Sequence, residues 1–171
     1  MEGLAIGDAA AGKIDKVTFM ELLQQRKEVL YRIAYMYVKN EDDALDIVND
    51  AVCRAYSSIK KLKEPKYFNT WVTRILINCA VDYVKKGRKL LPFHEEIINQ
   101  TIEDSCDNYI DLYDAVDSLR GKYKTVIILK YFEDLTISQI AVIMECSESN
   151  VKNYLHKALC DLRVELRESE F

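Results

Sequence analysis

Glycine and proline are scarce, five and two among 171 residues, and that excludes a loop-rich architecture. No apolar run approaches the ~18 residues that a membrane-spanning helix needs. The five cysteines, Cys53, Cys79, Cys106, Cys146 and Cys160, are odd in number and have no CxxC spacing. They fit reduced, partly buried thiols in a cytoplasmic protein better than a disulfide framework or a zinc site. No stretch reads as a paired strand or an internal repeat. The opening MEGLAIGDAAAGK lacks a basic n-region, which argues against a signal peptide. Residues 1–17 are expected to be a disordered extension or residues added in cloning.

What is present is 49% apolar residues, enough for globular cores, and an uneven charge. The net charge of -4 hides two opposite blocks. Lys60 to Lys89 holds nine basic residues against Glu64 and Asp82, a net +7, whereas Leu90 to Asp117 holds eight acids and no Lys or Arg. A basic block of this kind suits a polyanionic partner.

Apolar residues recur at helical spacing from Phe19 to Val38, and Asn40 can cap a second helix with acids at its N-terminus. That helix turns Ala44, Ile47, Val48, Ala51, Val52 and Tyr56 inward. Lys60 to Lys66 breaks the pattern as a loop, and Phe68 to about Lys86 predicts a third long helix that Gly87 can stop. Leu90 to Asn108, with Pro92 and five acids, reads as a linker. Two helices follow over Tyr109–Leu119 and Tyr123–Phe132. The expected fold is all-α, with two small helical domains, 18–89 and 109–171, joined by the acidic segment 90–108.

The segment TISQIAVIMECSESNVKNYLHKAL predicts a helix-turn-helix. Thr136 and Gln139 form a capping box for Ile137–Met144, and Ser147 can cap the second helix. The second helix buries Val151, Leu155, Ala158, Leu162 and Leu166. Asn150, Asn153, His156 and Lys157 lie opposite, with Lys152 at the edge, all groups that donate to phosphates or base edges. Glu145 occupies the turn position where glycine is usual, because the position tends to be left-handed.

Both halves resemble an alternative sigma factor of the extracytoplasmic-function type, within the sigma-70 family of bacterial transcription initiators. DDALDIVNDAVCRAY resembles the family's polymerase-binding helix, and FNTWVTRILINCAVDYVKKGRK its promoter-opening helix. YKTVIILKYFEDLTISQIAVIMECSESNVKNYLHKALCDLR resembles its helix-turn-helix domain. The resemblance implies that Asp46, Asn49, Asp50 and Arg54 dock on the β′ clamp of core RNA polymerase, and that the β flap is a second contact. It also implies minus-ten DNA contacts from Lys60, Lys61, Lys63, Lys66, Arg74, Asn78, Asp82, Lys85, Lys86 and Arg88. Tyr67 and Phe68 are candidate stacking groups for a base extracted from the minus-ten element. Asn150, Lys152, Asn153, Tyr154, His156 and Lys157 fall on the minus-thirty-five reading positions. Tyr154 stands where the family often has arginine, either removing a phosphate contact or replacing it with packing. An anti-sigma factor is a further expected partner; no catalytic, cofactor or metal site and no membrane insertion are expected.

Two other readings use the same residues. Asp42, Asp43 and Asp46 spell DDxxD, which binds magnesium diphosphate in helical prenyl synthases, but no second aspartate-rich motif accompanies it. A helix-turn-helix regulator that binds operators without joining polymerase would need a dimer interface and a sensor pocket, where the first half offers a basic helix instead.

Overall fold

The computed structural model describes residues 14–62, 64–90, 107–119 and 121–168. Helix α1 (Lys16–Val38) starts where the Asp15 side chain accepts the Thr18 N–H at 2.8 Å. α1 thus starts two residues before residue 18, with this cap and Ile14, packed on the core, holding its first turn. Lys39 ends α1 in the left-handed region at φ 53°. Asn40 caps α2 (Glu41–Ser58) by accepting the Asp43 N–H, and Glu41, Asp42 and Asp43 face the positive end of the helix dipole.

α2 buries Ala44, Ile47, Ala51 and Ala55, mostly small side chains that let α1 and α3 approach closely. Tyr56, expected inside, is about half exposed, with its ring edge-on to that of Phe19 at 5.6 Å. Two short 3₁₀ turns, Ile59–Lys61 and Pro65–Tyr67, then lead into α3 (Phe68–Leu90). Gly87 does not stop that helix; its backbone has no positive φ, and the helix continues three residues beyond it. α1, α2 and α3 pack pairwise around Phe19, Leu30, Ile33, Phe68, Val72 and Leu76.

The second half opens with α4 (Asp107–Ser118), so helix occupies both margins of the expected linker, at Leu90 and at Asp107–Asn108. The rest of that linker, 91–106, lies outside the described residues, as do 1–13. Gly121, at φ 54° and ψ -117°, permits a bend between α4 and α5 (Lys122–Ile127). α5 runs on into a π-helical turn, Ile128–Phe132, closed by the Glu133 N–H on the Ile128 carbonyl at 3.2 Å. α6 (Ile137–Ile143) and α7 (Glu148–Glu168) complete the domain. α7 packs on α4, α5 and α6 through Val151, Ala158 and Leu162.

α3 also packs against α6, and the buried side chains of both halves belong to one continuous apolar cluster. Among the described residues no helix is long and apolar enough to cross a membrane.

Candidate functional site

The carboxylates of α2 form an exposed acidic face. Asp42, Asp46, Asn49 and Asp50 are all solvent-facing, as their three- and four-residue spacing predicts. Arg54 belongs to this face but is already engaged. Its guanidinium makes two contacts with Asp50, Nε at 3.1 Å and Nη2 at 2.8 Å, and lies 3.6 Å from Asp82 of α3. The Asp50 hydrogen bond raises the Arg54 pKa, with neighbouring anions adding to it. Asp82 therefore joins the acidic network, through a partner on another helix that spacing along α3 could not reveal. Below Arg54, burial pushes the Cys79 thiol up to about 11. The Tyr83 hydroxyl donates to Asp43 at 2.6 Å, and this bond, more than burial, pushes its pKa up to about 12. Among the described residues no group of three or more His, Cys, Asp or Glu could hold a metal ion.

The basic side begins at Lys60 and Lys61, both exposed; Lys63 lies outside the described residues. Lys66 pairs with Glu64 at 2.7 Å and sits 4.9 Å from the centre of the Tyr67 ring, a cation held over an exposed aromatic. Tyr67 is 53% exposed and is available for stacking. Phe68 is not: it is 1% exposed, edge-on to Phe19 at 5.8 Å and tilted against Trp71 at 6.0 Å. The stacking role expected for Phe68 is withdrawn, because one residue along a helix start turns the side chain about 100° into the core. Along α3, Asn78, Lys85 and Lys86 are exposed, and Arg88 lies in the last turn. Arg74 is partly covered by the second half.

The helix-turn-helix forms as its sequence predicts. Thr136 and Gln139 exchange both capping-box bonds, and the Ser147 hydroxyl accepts the Asn150 N–H at 3.2 Å. Glu145 is left-handed at φ 52°, a conformation that costs a side chain roughly 1 kcal/mol. Around it the Cys146 N–H bonds the Ala141 carbonyl at 3.0 Å and the Glu145 N–H the Val142 carbonyl at 3.4 Å, a Schellman turn. On α7, Asn150, Lys152, Asn153, His156 and Lys157 are exposed together. Tyr154 turns aside: its ring is edge-on to Tyr123 at 6.1 Å and its hydroxyl is 3.4 Å from Lys122 Nζ. Of the site residues expected on α7, Tyr154 is the one that packs against a neighbouring helix.

Spacing along the chain gave no sign of the polar contacts that join the halves. Arg74 reaches Glu145 at 3.1 Å, and Arg32 reaches Glu133 at 2.8 Å. The Glu133 side chain is only 5% exposed, and its charge also supports Arg26, whose pKa burial lowers. The Tyr37 hydroxyl meets Thr125 at 2.6 Å, with burial raising its pKa, and Lys39 lies 5.2 Å from the centre of the Tyr113 ring.

An acidic helix face, a basic helix and a helix-turn-helix, in that order, are the layout expected of a transcription initiation factor. The family description "Sigma-70 region 2" matches residues 22–90, and "Sigma-70, region 4" matches residues 109–162. The RNA polymerase sigma factor SigV of Bacillus subtilis is 36% identical, over 91% of this chain and 95% of its own. The ECF RNA polymerase sigma factor SigW of the same organism is 28% identical, over 91% and 92%. The sigma factor RpoE of Bartonella quintana, solved in complex with the anti-sigma factor NepR, shares the fold at a TM-score of 0.69 and 21% identity, over 87% of this chain and 96% of that one. This chain belongs to the extracytoplasmic-function group of the sigma-70 family. It is an alternative sigma factor, which directs core RNA polymerase to promoters.

Proposed function

We propose that the sigma activity is divided so that residues 18–89 bind core polymerase and open the minus-ten element, while residues 109–171 read the minus-thirty-five duplex. The exposed α2 face carries this reading. Asp46, Asn49 and Asp50 present acids and an amide to a basic groove such as the β′ clamp offers, with Arg54 fixing the geometry of Asp50. Lys60, Lys61, Lys66 and Tyr67 form the entrance for an extracted base, and Asn78, Lys85 and Lys86 continue the track along α3. Lys152, Asn153, His156 and Lys157 enter the major groove of the duplex.

The chain has no catalytic role of its own in this reading and works in the cytoplasm, where polymerase is. An anti-sigma factor is proposed as its regulator, since the related RpoE is solved in complex with one. The test is run-off transcription with purified core enzyme and a library of promoter fragments. Wild type is expected to yield discrete transcripts, and Asp46→Lys with Asp50→Lys to lose them together with co-elution on gel filtration. Co-elution of the charge-reversed chain at wild-type strength would remove α2 as the docking helix.

A further inference from the structure

Lys122 is the first residue of α5, and its ammonium reaches across to the reading helix. Its Nζ donates to the Tyr154 hydroxyl at 3.4 Å and lies 5.3 Å from the centre of the Tyr154 ring. That ring is in turn held edge-on by Tyr123, the next residue of α5, at 6.1 Å. α5 packs along α7, and Gly121 at φ 54° supplies the bend that starts α5 there. Asn153 precedes Tyr154 and Lys157 follows it by three residues, both exposed, so the ammonium stands at the border of the exposed face of α7.

We propose that Lys122 and Tyr154 form a composite phosphate clamp: the lysine of α5, held on a tyrosine of α7, contacts a backbone phosphate of duplex DNA at the edge of the groove that α7 reads.

Three observations beyond the distance support it. Lys122 is exposed and, among the described residues, has no carboxylate partner. Lys124, two residues on, is buried and paired with Asp117, so the two lysines of one helix have different duties. The position of Lys122 is also unfavourable for the helix itself, since a cation in the first turn opposes the helix dipole. An anionic partner accounts for a lysine there, and helix stability does not. Finally, the donors are arranged for a shared anion. The ammonium directs one N–H at the Tyr154 oxygen and keeps two, and a phenol that accepts keeps its own O–H to donate. A lysine stem also gives up rotamer freedom when it grips a ligand, and resting the ammonium on an aromatic face takes up part of that loss before DNA arrives.

The clamp rests on α7 being the minus-thirty-five reader, and its test separates the two ideas. The full chain is titrated against a labelled minus-thirty-five duplex cut from a promoter that it transcribes with core enzyme, and anisotropy is followed across a salt series. Lys122→Met keeps an aliphatic stem on Tyr154 but removes the charge. It should lower the slope of log affinity against log salt by about 0.9, the share of one phosphate. Lys122→Met/Tyr154→Arg should bring the slope back, since arginine at 154 returns a cation to the same border. Lys27→Met, at an exposed lysine of α1 outside both DNA-reading faces, should leave the slope as it is.

An unchanged slope in Lys122→Met, beside a reduced one in Lys152→Ala/Lys157→Ala, would overturn the clamp and leave α7 as the reader. Unchanged slopes in both would overturn the clamp together with that reading. An equal fall in Lys27→Met would assign the effect to general charge, and failure of the arginine to restore the slope would place the lost contact away from Tyr154; either result overturns the composite site.

Discussion

Tyr67 and Phe68 are neighbours in sequence and opposites in environment. The backbone enters α3 at this point, so one ring stays in solvent over Lys66 while the next caps the core between Phe19 and Trp71. Phe68→Ala is expected to lower stability by ~3–5 kcal/mol in urea unfolding, the usual cost of deleting a buried ring. Tyr67→Ala should stay within ~0.5 kcal/mol of wild type, yet weaken capture of an unpaired minus-ten strand; equal costs for the two would refute the division. The signal that separates them was present in the sequence. Phe68, Val72, Leu76 and Ala80 repeat every four residues and are all buried, whereas Tyr67 falls outside that stripe. Cys79, in the same helix, is a residue whose chemistry follows from its surroundings. Burial raises its thiol to about 11 from an ordinary value near 9. The native fold thus favours the protonated form, and this contribution to stability is present below pH 9 and fades as pH rises towards 11. Alkylation at pH 8.5 followed by mass spectrometry should modify the exposed Cys53 and Cys160 while sparing Cys79. Early modification of Cys79 would contradict the buried assignment.

At the scale of the element, what the sequence encodes locally was legible. The caps at Asn40, Thr136 and Ser147 each satisfy a backbone donor within three residues, so their partners can be named from spacing alone. The apolar stripe of α7 follows the same logic. What was not legible depends on partners 40 or more residues away. Neither the Tyr83–Asp43 bond nor the Arg32–Glu133 pair leaves a trace in local periodicity. The run of α3 through Gly87 is a milder case, since a glycine with no positive φ costs helix stability without ending the helix. For α7 the exposed face makes a quantitative claim. Removing one lysine–phosphate contact lowers the slope of log affinity against log salt by about 0.9. Lys152→Ala with Lys157→Ala should therefore reduce that slope by about 2 on minus-thirty-five duplex, measured by anisotropy across a salt series. Unchanged slopes would remove both lysines from the interface. Tyr154→Ala, packed on Tyr123, should instead lower stability and leave the slope as it is.

For the whole molecule, the question is how far two small domains share one stability. A domain of about 60 residues buries a modest fraction of its surface and is marginal alone. Here its core is continuous with that of the first half, and the Glu133 carboxylate is withdrawn from solvent against Arg32. The closed interface should therefore support the second domain. The protein carries its own reporter for this. Trp71 is the single tryptophan and packs beside Phe68 in the first half, so its fluorescence follows chiefly that half, whereas circular dichroism follows helices throughout. In guanidinium the two signals should coincide for wild type, as cooperative unfolding requires. In Arg32→Ala/Tyr37→Phe, which removes two interface contacts without touching either DNA-reading face, part of the circular dichroism should be lost before the fluorescence changes. Coincident transitions in that variant would mean that apolar packing between α3 and α6 couples the halves by itself. In that case the polar contacts add little to the coupling, and the halves would separate only as the molecule unfolds.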